Sequence, residues 1–122
     1  MTPKVGDVFI VDLGFDGKVR PVVVVSREDP DAPRALSIVV PLTSQFRGSR
    51  YEVQMPRVPW LNLQSFANIQ AIGAAQHHEL TNRRERFEAS VVKQIREAVR
   101  WALELCPPAD EWLISTDPPS VP

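Results

Sequence analysis

The chain is poor in the residues that staple, ligate or span. It has one cysteine, Cys106, so no internal disulfide can form, and a cysteine-rich zinc site is disfavoured. Its two histidines, His77 and His78, are adjacent and have no carboxylate cluster beside them, which is poor metal-ligand spacing. No apolar run approaches the ~18 residues that span a bilayer. The opening MTPKVGD lacks a signal-peptide core. There is no phosphate-cradling glycine loop, no nucleophile elbow and no internal repeat. These absences lead us to expect a cytoplasmic, soluble protein with no membrane partner, no metal and no cofactor.

What is present fits one domain. The 122 residues suffice for a real core, and 43% hydrophobic against 24% charged residues is ordinary for a globular chain. The charge is unevenly placed. Residues 1–103 carry all 14 Lys and Arg against 11 acids, and residues 104–122 carry four acids and no base. A mildly basic body with an acidic end permits local phosphate binding.

Hydrophobic periodicity predicts strands first and a helix last. GDVFIVDLG (6–14) alternates around Val8, Ile10 and Leu13. Asp16-Gly17 is a hairpin signal, and RPVVVVS (20–26) is a second strand, continuous in valine and so covered on both faces. LSIVVPLTS (36–44) is a third strand, where Pro41 suggests an edge or a bulge. RYEVQM (50–55) and SFANIQAIGAA (65–75) follow as a fourth and a fifth. ELTNRRERF, from Glu79, suggests a short helix. EASVVKQIREAVRWALEL (88–105) is a helix whose apolar face is Val92, Ile95, Val99, Ala102 and Leu103, ended by Pro107-Pro108. The pattern is α+β with an antiparallel sheet, the helix packing on it.

One stretch is not explained by packing. The run KVRPVVVVS (18–26) starts its buried valines with Arg20, a costly side chain to bury, fixed by Pro21. A structural reading makes Arg20 a strand end paired to a surface acid such as Asp16. A functional reading holds a guanidinium rigidly at the lip of a groove, where its planar fork grips a phosphate.

Taken in order, KVGDVFIVDLG, VRPVVVVS, IVVPLTS, Ser65 opening the fifth strand and HHELT make the chain resemble the MazF/PemK (Kid) family. Its members are ribosome-independent ribonucleases of type II toxin–antitoxin pairs. The resemblance covers roughly residues 4–105, and it divides the chain into a toxin domain (1–106) and an acidic, proline-rich tail (107–122). It implies a small half-open antiparallel β-barrel of about five strands with a C-terminal helix, a homodimer and a groove at the dimer interface. It also implies cleavage of single-stranded RNA (mRNA) to 2′,3′-cyclic phosphate and 5′-hydroxyl ends without metal, and neutralisation by a cognate antitoxin.

In that family the arginine before the proline and the threonine of the PLTS stretch carry cleavage. Arg20 and Thr43 stand at those positions. Ser44 is a further candidate for the same phosphate. Arg47, Arg50 and Arg57, interleaved with Tyr51 and Trp60, are candidates for the wall of an RNA groove, since aromatic faces stack on unpaired bases and arginines hold phosphates. Gln70 of the fifth strand joins the RNA-binding set. His77 and His78 read as turn or surface residues, and Asp7 and Asp12 as structural ones.

The chain also departs from the family. Aligned from Ser65, Gly73 takes the place of the usual arginine and Gln76 that of the usual aspartate, in a strand that serves catalysis or binding in Kid-type members. Two other readings therefore stand beside the nuclease. One is a catalytically degenerate module that keeps the fold and binds antitoxin or nucleic acid. The other is a CcdB-like gyrase poison, against which Arg20 and Thr43 speak. The tail segment ADEWLI (109–114), acidic with apolar anchors, has two readings: Trp112 packs on the C-terminal helix or the sheet, or the segment competes for the groove as an antitoxin segment does.

Overall fold

The computed structural model describes residues 2–12 and 19–105. The Asp16-Gly17 turn, Asp16 as a partner for Arg20, and the tail 107–122 lie outside them. Among the described residues, seven strands and one α-helix follow in order: β1 (Asp7–Asp12), β2 (Val19–Val24), β3 (Leu36–Thr43), β4 (Glu52–Gln54), β5 (Phe66–Asn68), β6 (Gly73–Gln76), β7 (Arg83–Arg86) and α1 (Ala89–Ala102). All pairings are antiparallel. The order across the sheet is β4–β5–β3–β2–β1–β7, with β6 added on the first half of β3. The α+β architecture is as expected, with seven short strands in place of about five.

The valine run sets the layers, because successive side chains on a strand face opposite ways. Val23 and Val25 pack with Leu42, Met55, Phe87 and Ile95 of α1. Val22 and Val24 pack on the other side with Phe9, Val11, Val39 and Leu80. Both faces of β2 are thus covered, as its continuity predicted. Arg96 of α1 fastens the helix to the end of this run, donating from Nε (3.1 Å) and Nη2 (2.8 Å) to the Val25 carbonyl.

The single fifth strand predicted for 65–75 is two strands. A 3-10 turn at Ile69–Ala71 separates β5 from β6 and buries Ile69. The two pieces pair with different halves of β3: Leu42 and Thr43 meet Ala67 and Phe66, while Leu36–Val39 meet Gly73–Gln76. Pro41 falls in the gap between them. It is neither on an edge strand nor in a bulge, because β3 is central and Pro41 pairs with Val22. The amide of Ile38 points to Ser26 at 3.0 Å, on the β2 side. By alternation, position 41 turns its nitrogen away from β2, into the gap, where no strand needs a donor.

The short helix expected after Glu79 is instead a 3-10 turn (His77–Glu79) followed by β7. The reason is Asp7. It is buried (3% exposed) on β1 and accepts from Arg86 Nε at 2.7 Å, with Arg83 Nη1 at 3.5 Å. The ladder Asp7↔Arg86 brings those cations to it. At the C-terminus, α1 stops before Pro107-Pro108. Glu104 takes a left-handed φ of 54°, and the Leu105 amide bonds back to the Arg100 carbonyl at 3.0 Å. Leu103, placed on the apolar face by periodicity, is 56% exposed beyond that stop.

Candidate functional site

The same alternation that buries Val22 and Val24 puts Arg20 on their face of β2. The register Val22↔Pro41, continued by one pair of residues on that face, sets Arg20 across from Thr43. Thr43 in turn pairs with Phe66 on β5. Arg20, Thr43 and Phe66 therefore form a row across β2, β3 and β5, on the face opposite α1. On β4, Glu52 and Gln54 pair with Asn68 and Phe66 and share that face.

Two hollows flank the row. The first, about 410 Å³, is lined by Arg20, Thr43, Ser44, Leu61, Asn62, Leu63 and Ser65, among others. The second, about 360 Å³, is lined by Arg20, Thr43, Gln45, Arg47, Glu52, Asn68 and Gln70, among others. Arg20 and Thr43 border both. Both side chains are half-buried, so each keeps a reachable polar end.

Thr43 is oriented by its neighbour. Its Oγ1 accepts the Gln45 amide at 3.1 Å. The hydroxyl hydrogen is then the part left to donate outward. The following loop is held by Glu52. Its Oε2 accepts the Arg47 amide at 2.9 Å, and its Oε1 accepts the Ser49 amide at 3.0 Å and the Ser49 hydroxyl at 3.1 Å. The Ser49 and Arg47 amides stabilise the Glu52 carboxylate, and together with the Ser49 hydroxyl and the Arg47 charge they outweigh its small desolvation and hold its pKa below the ordinary 4.5. For Asp7, burial acts to raise the pKa. The Arg86 bond, the Lys4 amide and the charges of Arg86 and Arg83 outweigh it and leave the pKa below the ordinary 3.8.

The other sequence candidates divide. Ser44 joins the first hollow, and Arg47 and Gln70 the second. Arg57 stands just outside, its Nη2 donating to the carbonyl of Asn62 at 3.1 Å. Arg50 and Tyr51 lie against the helix. The Arg50 guanidinium sits 4.2 Å from the Trp101 ring centre, and the Tyr51 and Trp101 rings are 4.9 Å apart. Trp60 packs on the helix-side core, with Arg84 above it at 5.7 Å. Gly73 and Gln76 lie on β6 and line neither hollow.

His77 and His78 occupy the 3-10 turn, as turn residues. His77 Nε2 bonds Ser37 Oγ at 3.0 Å and borders a third hollow, of about 290 Å³, at the opposite end of β3. Asp7 is structural, as read. Among the described residues, no group of three or more His, Cys, Asp or Glu side chains gathers where a metal ion could sit.

Sequence reasoning missed Gln45, Glu52, Asn62 and Asn68. Their types are common on surfaces, and only the β4–β5–β3 register, for Glu52 and Asn68, and the connecting loops, for Gln45 and Asn62, bring them to the hollows beside Arg20. It also missed an aromatic pair beside Thr43: Phe46 and Phe66 stack with ring centres 4.4 Å apart and planes 18° apart.

Among the described residues, an antiparallel sheet carries one C-terminal helix on one face and sets an arginine and a threonine side by side on the other. Residues 4–103 match the family model of PemK-like, MazF-like toxins of type II toxin–antitoxin systems, and the chain belongs to that family. Among solved structures, the Mycobacterium tuberculosis toxin MazF-mt6 is 26% identical, with a TM-score of 0.70 over 83% of this chain and 99% of that one. A mycobacterial endoribonuclease in complex with its cognate antitoxin is 26% identical, with a TM-score of 0.72 over 87% of this chain and 99% of that one. MazF from Deinococcus radiodurans, 18% identical, shares the fold at a TM-score of 0.71 over 86% of this chain and 99% of that one. No curated protein matches. No helix among the described residues is long and apolar enough to cross a membrane.

Proposed function

We propose that the chain is an endoribonuclease toxin that cleaves single-stranded RNA, using Arg20 and Thr43 without a metal ion. The observation that carries this is the convergence of those two side chains on the border shared by both hollows. A strand of RNA laid across the row would seat one nucleotide on each side of a central phosphate.

The chemistry is an in-line attack. The ribose 2′-oxygen attacks phosphorus, its proton leaves, and the 5′-oxygen departs and takes up a proton. The products are a 2′,3′-cyclic phosphate and a 5′-hydroxyl. Charge builds on the non-bridging oxygens in the crowded intermediate. Arg20 supplies a fixed positive fork there, and the Thr43 hydroxyl donates a hydrogen bond to one of them. An arginine side chain stays protonated at neutral pH and has no lone pair free to accept a proton. We therefore assign Arg20 chiefly to charge stabilisation. Arg47 and Gln70 in the second hollow, and Ser44 in the first, hold the flanking backbone and bases. Arg57 stands beside the first hollow, while Arg50 and Tyr51 lie against Trp101 on the helix side and take no part at the row.

A homodimer would extend this short groove, and an antitoxin peptide would cover it. Supporting the antitoxin is the relative solved with its cognate one. The test is direct: purified protein is incubated with long RNA in EDTA and the new 5′-ends are mapped. Discrete 5′-hydroxyl ends are expected. Intact RNA would favour the degenerate-module reading, which rests on Gly73 and Gln76 in place of the family's arginine and aspartate.

A further inference from the structure

We infer that Phe46 is a base-stacking platform for the nucleotide beside the phosphate held at Arg20 and Thr43. This rests on the proposed RNA substrate and names a residue that binds it. Phe46 is 57% exposed, although it is a large apolar side chain one residue from Arg47 in the second hollow. Its ring lies nearly parallel to that of Phe66, with centres 4.4 Å apart and planes 18° apart. Phe66 is the ladder partner of Thr43. Directly opposed residues on one sheet face bring their Cβ atoms within about 5 Å. The stack therefore stands beside the threonine hydroxyl.

The ring is also held in place from both sides in the chain. Thr43 Oγ1 fixes the Gln45 amide, and Glu52 fixes the amides of Arg47 and Ser49. The loop on either side of Phe46 is thus pinned by polar bonds that do not involve its ring. An exposed ring in a loop already ordered by other bonds contributes little to that order. What it contributes is a preorganised π-face, with one side backed by Phe66 and more than half of the residue exposed. Unpaired bases stack on such faces, and stacking tolerates any base while favouring the larger purines. The neighbouring cation Arg47 matches a phosphate next to the stacked base. A third layer, base on Phe46 on Phe66, would lie along the row that ends at Arg20.

The experiment uses the full-length protein and single-stranded oligonucleotides carrying 2′-O-methyl riboses, which bind without being cleaved. A 2-aminopurine is walked along the strand. We expect one position where its fluorescence is quenched on binding. Phe46→Leu keeps the apolar bulk but removes the π-face. It should weaken binding about 10-fold and abolish that quench, while Phe46→Trp restores both. Removing the base at that position should weaken binding to the parent about 10-fold and leave the Phe46→Leu variant unaffected.

Three results would overturn the platform. The first is no binding of single-stranded RNA by the parent. The second is equal binding by parent and Phe46→Leu, which would assign the ring to a protein interface. The third is additive losses from the abasic site and the substitution at every position. Unmodified RNA separates this from the nuclease reading. Cleavage with Phe46→Leu indifferent sinks the platform alone, and binding with a quench but no cleavage sinks the nuclease alone.

Discussion

Arg20 on β2 and Thr43 on β3 face the same side of the sheet and border the same two hollows. The relationship is set by β-sheet arithmetic. Val22 opposite Pro41 fixes the register, and the two-residue repeat carries it to the arginine and the threonine. The β2–β3 ladder, with the Val25 amide bonded to the Ile38 carbonyl at 2.9 Å, holds that register. A one-residue slip would turn Arg20 to the helix side of the sheet, away from Thr43. The stiffness of the run thus becomes precision at the site.

Glu52 holds the loop that carries Arg47. Glu52→Ala removes three acceptor contacts from an exposed loop. It should raise KM for RNA about 10-fold, as misplaced binding groups do, with little change in thermal stability. Steady-state cleavage kinetics with a short oligonucleotide, alongside a thermal melt, checks this. A large loss of stability with unchanged KM would contradict it.

Acid should unfold the protein partly through Asp7. Its folded pKa is lowered, so its contribution to stability is fully present above the ordinary value of 3.8. That contribution is lost as pH falls below that value and through the folded pKa. At pH 7, Asp7→Asn should cost about 2 kcal/mol, the scale of hydrogen bonds to a charged group. It should also flatten the stability profile below about pH 4. Urea unfolding measured at several pH values reads both effects.

Gly6 is held between β7 and α1 at φ +91°, and a Cβ there would sit 2.8 Å from the Phe87 carbonyl oxygen. Gly6→Ala should destabilise by about 2 kcal/mol, from the left-handed backbone and the clash together. Urea midpoints of the two proteins test this, with unchanged m-values expected.

His77→Ala with His78→Ala should leave cleavage undiminished. The pair sits in the 3-10 turn, and His77 borders the hollow at the far end of β3 from Thr43. Lost cleavage in a folded double variant would move the chemistry to the imidazoles.

Much of the fold was legible because its signals are local. The period-2 strands, the valine run and the apolar stripe of α1 each declare themselves within a few residues. The misreadings arose where a distant partner decided. β7 forms because buried Asp7 draws Arg83 and Arg86 onto β1, and nothing in NRRERF announces that. The fifth strand breaks at Ile69–Ala71 because its two halves serve different halves of β3. In the site, the family motif pointed to Arg20 and Thr43, and the register sets them on one face. Arg50 and Tyr51 looked equally suited to RNA by type, yet the β4 approach turns them onto Trp101. Glu52, Asn68 and Phe46 were invisible, because ordinary residue types acquire a role only from register.

The central claim is that Arg20 stabilises the charge of RNA cleavage. The most direct measurement compares the parent and Arg20→Ala on one long RNA in EDTA, with new 5′-ends mapped and rates taken at each cut. The account predicts 5′-hydroxyl ends from the parent and a loss of at least ~100-fold in rate for Arg20→Ala. A smaller loss is expected for Thr43→Ala. Cleavage by folded Arg20→Ala at the parent's rate and sites would contradict it.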